Sequence, residues 1–158
     1  MQFRIRENLQ EISKDEVIEI IKNIPNFNKN SNVNVEQFTK LINDKVEWVG
    51  VFNKEHCTAL AALRENTLKL HDIAINELQS FEKGAGQKLL QAIIDEFNCV
   101  WLLSRPGNDK LLDYYRQFNL KEYVLPAEKS IYNVNTHFFY KAFDDVKMTQ
   151  AIRDWYKK

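Results

Sequence analysis

Two cysteines, Cys57 and Cys99, are all the chain has in 158 residues, with neither a Cys-x-x-Cys spacing nor a histidine at metal-ligand distance. That excludes a cysteine-based zinc site and predicts two reduced, buried thiols in a cytosolic protein, because each opens an apolar run (CTALAAL and CVWLL). Net charge is also lacking: 22 Lys and Arg balance 22 Asp and Glu. A nucleic-acid or anionic-membrane binder working by bulk charge is thereby disfavoured. No apolar run reaches the length of a membrane span, and the mean hydropathy is -0.47. The start, Met1-Gln-Phe-Arg-Ile-Arg6, lacks the apolar block of a signal peptide, so a cytoplasmic protein is expected.

What is present is a chain that is 44% hydrophobic and 12% aromatic, long enough to bury a core without disulfides. Met1 to Arg6 alternates like a first strand. Ser13-x-x-Glu16 has the form of a capping box and precedes a helix over about 14–24, ended by Pro25. Six asparagines between Asn23 and Asn34 favour turns, and Asn34 can cap a second helix over about 35–44. VEWVGVF, CTALAALR and TLKLHDIAINELQ, separated by turns at 53–56 and 65–66, then predict an antiparallel meander. Within the third, the apolar parity shifts twice, which demands a bulge, a bend or the strand's end.

Of four glycines, Gly84 and Gly86 stand between that strand and a helix with the stripe Leu89, Leu90, Ile93, Ile94 and Phe97. Glycines at a helix start let backbone turn tightly or approach a ligand, and amides there bind phosphate, with Lys83 and Lys88 adding charge. The Rossmann and Walker patterns both fail. The wholly apolar CVWLL predicts a central strand. Asn108 or Asp109 can cap a helix carrying Leu111, Leu112, Tyr115 and Phe118, with Asn119 as a left-handed stop. Strands near 120–125 and 134–143 follow. Asp144 or Asp145 then starts a last helix, whose face of Met148, Ile152 and Trp155 is expected to be buried on its own domain or on a second subunit.

This order of elements, over about residues 3–143, resembles the GNAT N-acetyltransferase superfamily. LHDIAINELQSFEKGAGQKLLQAII (70–94) looks like that family's acetyl-CoA strand, pyrophosphate loop and helix. NDKLLDYYRQFNLKEY (108–123) looks like its second conserved segment, with Asn119-Leu120 where the family usually has Gly-Phe. The resemblance implies an α+β fold with a mixed, largely antiparallel sheet of about seven strands flanked by helices. It makes residues 1–143 the acyltransferase domain and 144–158 a helical extension. It departs in two ways: Phe81 occupies a position that is Gln or Arg in the family, and the segment between Ile75 and Gly84 is one residue longer than typical and lacks the usual proline.

The implied activity is transfer of an acetyl group from acetyl-CoA to an amine by direct attack, with no metal. A non-catalytic CoA-binding or regulatory protein is the alternative. Cofactor contacts fall to Lys83, Gly84, Ala85, Gly86, Gln87 and Lys88, to Asn108 and Tyr115, and to Ile75 or Leu78 as the position pairing with pantetheine. Replacing Gly86 with valine is expected to weaken CoA binding in a folded protein. By spacing, Tyr115 matches the family's acid, though it shares a stripe with core residues. Glu77 is the candidate base, with His71, Asp72 and His137 as alternatives. The acceptor would be a small-molecule or protein amine, not a membrane or nucleic acid, and the chain a monomer or homodimer.

Overall fold

The computed structural model describes residues 9–22, 40–42, 45–104 and 109–158. The strand expected over 1–6, the asparagine-rich segment and most of the helix expected over 35–44 lie outside those residues. Residues 40–42 are helical. The chain divides into two compact units, residues 1–64 with 76–93 and residues 65–75 with 94–158.

In the first unit, β1 (Gln10–Ile12) is a short strand that the alternation did not predict. It pairs antiparallel with β2 (Glu47–Asn53) through Gln10↔Gly50 and Ile12↔Trp48. Between them α1 (Lys14–Lys22) begins with the first half of its capping box: Glu16 N donates to Ser13 Oγ at 3.2 Å, while Glu16 Oε1 accepts from the Ser13 hydroxyl at 3.4 Å. Antiparallel pairing of β2 with β3 (His56–Glu65) turns at Lys54, whose φ is 58°, and shifts register between Val51 and Phe52. Ile12, Val17, Trp48, Cys57 and Leu60 form the core here, with Ile20, Ile21 and Phe81 packed against it. The residues of β4 (Ile73–Ser80) from Asn76 onward, and α2 (Ala85–Glu96) as far as Ile93, complete this unit.

The meander's third strand starts later than its sequence suggests. Thr67 to His71 form a turn, and Asn66, Lys69 and His71 take φ values of 58°, 62° and 54°. The cause is Asp72, which is fully buried. Its carboxylate accepts from Leu68 N (3.0 Å to Oδ1), Leu70 N (3.3 Å) and Trp101 Nε1 (2.8 Å). Backbone wrapped around a carboxylate cannot remain extended, so Leu68 and Leu70 leave the strand and the first parity shift disappears.

The second unit holds β5 (Val100–Ser104), α3 (Lys110–Arg116), β6 (Lys121–Leu125), β7 (Thr136–Lys141) and α4 (Asp145–Tyr156). The sheet runs β1-β2-β3-β4-β5-β7-β6. Its β4–β5 pair is parallel, through Ile73↔Val100 and Ala74↔Trp101, and β7 pairs antiparallel with both β5 and β6. Among the described residues the sheet has seven strands, is mostly antiparallel and is flanked by helices, the α+β architecture expected. Asn119 is not left-handed. Helix α3 instead closes through Gln117 N to Tyr114 O and Phe118 N to Tyr115 O, both 3.2 Å, which tighten its last turn without a positive φ. Nor does Asp109 cap α3 with its side chain.

Asp144 caps α4, accepting from Lys147 N at 3.1 Å. Met148 and Ile152 are fully buried with Trp101, Leu125 and Phe138, but Trp155 stays 56% exposed. The buried row runs 148, 152, 156, so Tyr156 takes the expected place of Trp155, its ring 5.0 Å from Phe138 and 6.0 Å from Trp101. Burial, with Tyr132 nearby, pushes the Tyr156 hydroxyl up to about 12. Acrylamide is therefore expected to quench Trp155 in a single-tryptophan variant almost as it does free tryptophan, while Trp48 and Trp101 stay shielded; a shielded Trp155 would mean the face is covered in solution.

Both cysteines are free, Cys57 buried and Cys99 only partly so. Burial pushes the Cys57 thiol up to about 11, and burial and Asp72 raise that of Cys99. Thiols so shifted are poor nucleophiles.

Candidate active site

The glycine loop is set by how β4 ends. Ser80 Oγ accepts from Gly86 N at 3.0 Å and its hydroxyl donates to Glu82 O at 2.6 Å, folding the chain back at the head of α2. Gly84 has φ 81°, with nothing within 4 Å of where a Cβ would stand. Gly86 answers a different need: a Cβ there would lie 2.9 Å from Ser80 Cβ and 3.4 Å from Leu78 Cδ2. Valine at 86 would therefore push α2 away from β4, so Gly86→Val does not isolate ligand binding in an unchanged fold as the sequence suggested.

The amides of this turn are not equivalent. Ala85 N donates to Glu82 O (3.1 Å), Gly86 N to Ser80, and Lys88 N to Gly84 O (3.2 Å). Among the described residues, those of Gly84 and Gln87 meet no backbone acceptor in the turn. Lys83, Gly84, Gln87 and Lys88 are exposed, while Ala85 and Gly86 are buried. Phe81 packs against the first unit's core and its N–H donates to Thr58 O at 2.9 Å.

Ile75, Glu77 and Leu78 are half-buried along β4, and Glu77 Oε1 accepts from Gln79 Nε2 at 2.7 Å. Tyr115 lies in the second unit, half-buried, its ring 5.4 Å from Phe139 and 5.5 Å from Tyr114. It is therefore a packed aromatic as well as a candidate acid. Asn108 lies outside the described residues. His71 is exposed in the turn around Asp72, and Asp72, fully buried and holding three donors, is a structural carboxylate.

His137 is the remaining candidate, and it has company. Its Nδ1 lies 2.7 Å from Glu122 Oε2, while Glu122 accepts from Arg116 Nε at 2.9 Å and Nη2 at 3.0 Å. The Arg116 hydrogen bonds hold Glu122 below the ordinary carboxylate range, opposed by burial and aided by His137. Sequence reasoning missed Ser80, Glu122 and Arg116. Charge alone marks none of them, since their meaning lies in a loop closure and a cross-strand register.

No family model matches the sequence, nor does any curated protein. Solved structures do. A GNAT-family protein of Desulfovibrio desulfuricans superimposes with a TM-score of 0.63 at 8% identity, covering 85% of this chain and 97% of that one. An aminoglycoside 6'-acetyltransferase type Ii gives 0.59 at 10%, covering 85% and 96%. The ribosomal-protein-S18-alanine N-acetyltransferase of Escherichia coli gives 0.53 at 12%, covering 84% and 89%. The fold is that of the GNAT acetyltransferases.

Proposed function

We propose that this chain is an N-acetyltransferase that moves an acetyl group from acetyl-CoA to an amine. The observation that carries the reading is the loop from Lys83 to Lys88. It opens a helix with Gly84 left-handed and the Gly84 and Gln87 amides unspent, and it is flanked by two exposed lysines, in a chain with the GNAT fold. Those groups fit the phosphates of CoA, with Ile75 or Leu78 on β4 toward its pantetheine arm and Asn108 as a further contact. Bound acetyl-CoA supplies the acetyl group as a thioester open to direct attack. Tyr115 donates a proton to the departing thiolate, and Glu77 is one candidate for taking the proton of the acceptor ammonium. The acceptor is an amine on a peptide or small molecule, in the cytoplasm. Packing of Phe81 into the core favours a second reading, a CoA-binding protein without transfer, because the polar side chain of the family is missing there.

Reversing the two lysines together (Lys83→Glu with Lys88→Glu) is expected to weaken CoA binding by about ten-fold or more, which is roughly 1.4 kcal/mol, with thermal stability unchanged since both are exposed. Calorimetry reads the affinity, and an unchanged value would move the site elsewhere. Release of free CoA thiol on adding an N-terminal alanine peptide, a lysine peptide or an aminoglycoside separates transfer from binding alone.

A further inference from the structure

We propose that His137 takes the proton from the acceptor amine, with Glu122 and Arg116 as the residues that position it. This rests on the acetyltransfer reading above and names the base that reading leaves open. Strand alternation puts His137 and Phe139 on one face of β7, opposite Phe138 and Tyr140, which belong to the core beneath α4. The Tyr115 ring packs, tilted, against Phe139, two residues from His137 along β7, so the candidate acid and the imidazole lie toward one face of the second unit. Arg116, the next residue on α3, grips both oxygens of Glu122.

The tautomer follows from this chain of contacts. An ionised Glu122 only accepts, so the short contact to His137 is Nδ1–H donating to Oε2. Nε2 then carries the lone pair. Among the described residues no group hydrogen-bonds to it, and the side chain is 22% exposed, enough to be reached. The charged groups facing the ring are Glu122 from β6 and, through the Arg116 guanidinium, Asp113 on α3 at 3.2 Å; from β5 the residue opposite is the neutral Ser104. A carboxylate on Nδ1 stabilises the imidazolium that proton capture creates. Glu77, by contrast, is engaged with Gln79.

The step balances as follows. The ammonium N–H bond breaks and its proton passes to His137 Nε2, which later releases it to solvent. The freed nitrogen lone pair forms the bond to the thioester carbonyl carbon as the C–S bond breaks. Tyr115 protonates the thiolate and is restored by the second proton that the nitrogen loses on becoming an amide.

The test is the pH profile of kcat/KM, read by CoA release with whichever of the alanine peptide, lysine peptide or aminoglycoside accepts. His137→Gln is expected to lower kcat/KM by about a hundred- to ten-thousand-fold and to abolish the acidic limb, leaving CoA affinity unchanged. Glu122→Gln should lower kcat/KM and let the Nδ1–H and Nε2–H tautomers of His137 mix in the nitrogen spectrum, because the acceptor that holds Nδ1–H is gone; Glu77→Gln should keep the limb. A His137→Gln enzyme with a wild-type rate and limb, or loss of the limb in Glu77→Gln, overturns the assignment. Nitrogen NMR of the wild-type protein is independent of turnover: a neutral His137 protonated on Nδ1 supports it, and one protonated on Nε2 overturns it. CoA binding without transfer to any of the amines would instead overturn the acetyltransfer reading, and this proposal with it.

Discussion

Tyr115→Phe is expected to lower acyl transfer by roughly ten- to ten-thousand-fold, the usual range for loss of a positioned acid. The substitution removes one oxygen and keeps the ring that packs on Phe139 and Tyr114, so the helix should hold its place. CoA affinity should change little, because the thiolate exists only as the thioester breaks. The loss therefore belongs in kcat, measured by thiol release beside calorimetry of CoA. A variant as fast as wild type on a confirmed acceptor would leave Tyr115 a core aromatic and nothing more.

Removing the Asp72 carboxylate should have the largest effect on stability. Asp72→Ala strips the acceptor from the Leu68 and Leu70 amides and the Trp101 indole around a fully buried site. A buried donor left unmatched costs about 1–3 kcal/mol, so a loss of roughly 3–5 kcal/mol is expected, a large share of the ~5–15 kcal/mol that holds a domain together. Urea denaturation followed by tryptophan fluorescence measures it. Asp72→Asn, which keeps one carbonyl oxygen, should recover part of the loss. An unchanged midpoint in Asp72→Ala would show that water replaces the carboxylate without cost.

Local signals served well wherever the cause was local. Ser13 and Glu16 cap α1, the stripe from Leu89 to Ile94 is buried along α2, and Asp144 caps α4, because each rests on contacts within a turn or two of helix. Gly84 was marked as a special position by being glycine before a helical stripe, and its φ of 81° is the reason. Trp155 misled, since residues three and four apart both count as one face. Only the packed row through Met148, Ile152 and Tyr156 separates them.

The order of strands and helices from β2 onward, the stripe of α2 and the glycine turn were thus determined by the sequence alone, since period and turn chemistry act over a few residues. Tertiary structure decided what no periodicity encodes: that Asp72, one candidate base among four, is consumed by amides and an indole 29 residues away, that Ser80 takes the Gly86 amide, and that Glu122 meets His137 across β6 and β7. A carboxylate is a base, a clasp or a positioning group according to what surrounds it. Its surroundings come from strand register and chain reversal, which bring together residues that the sequence keeps apart.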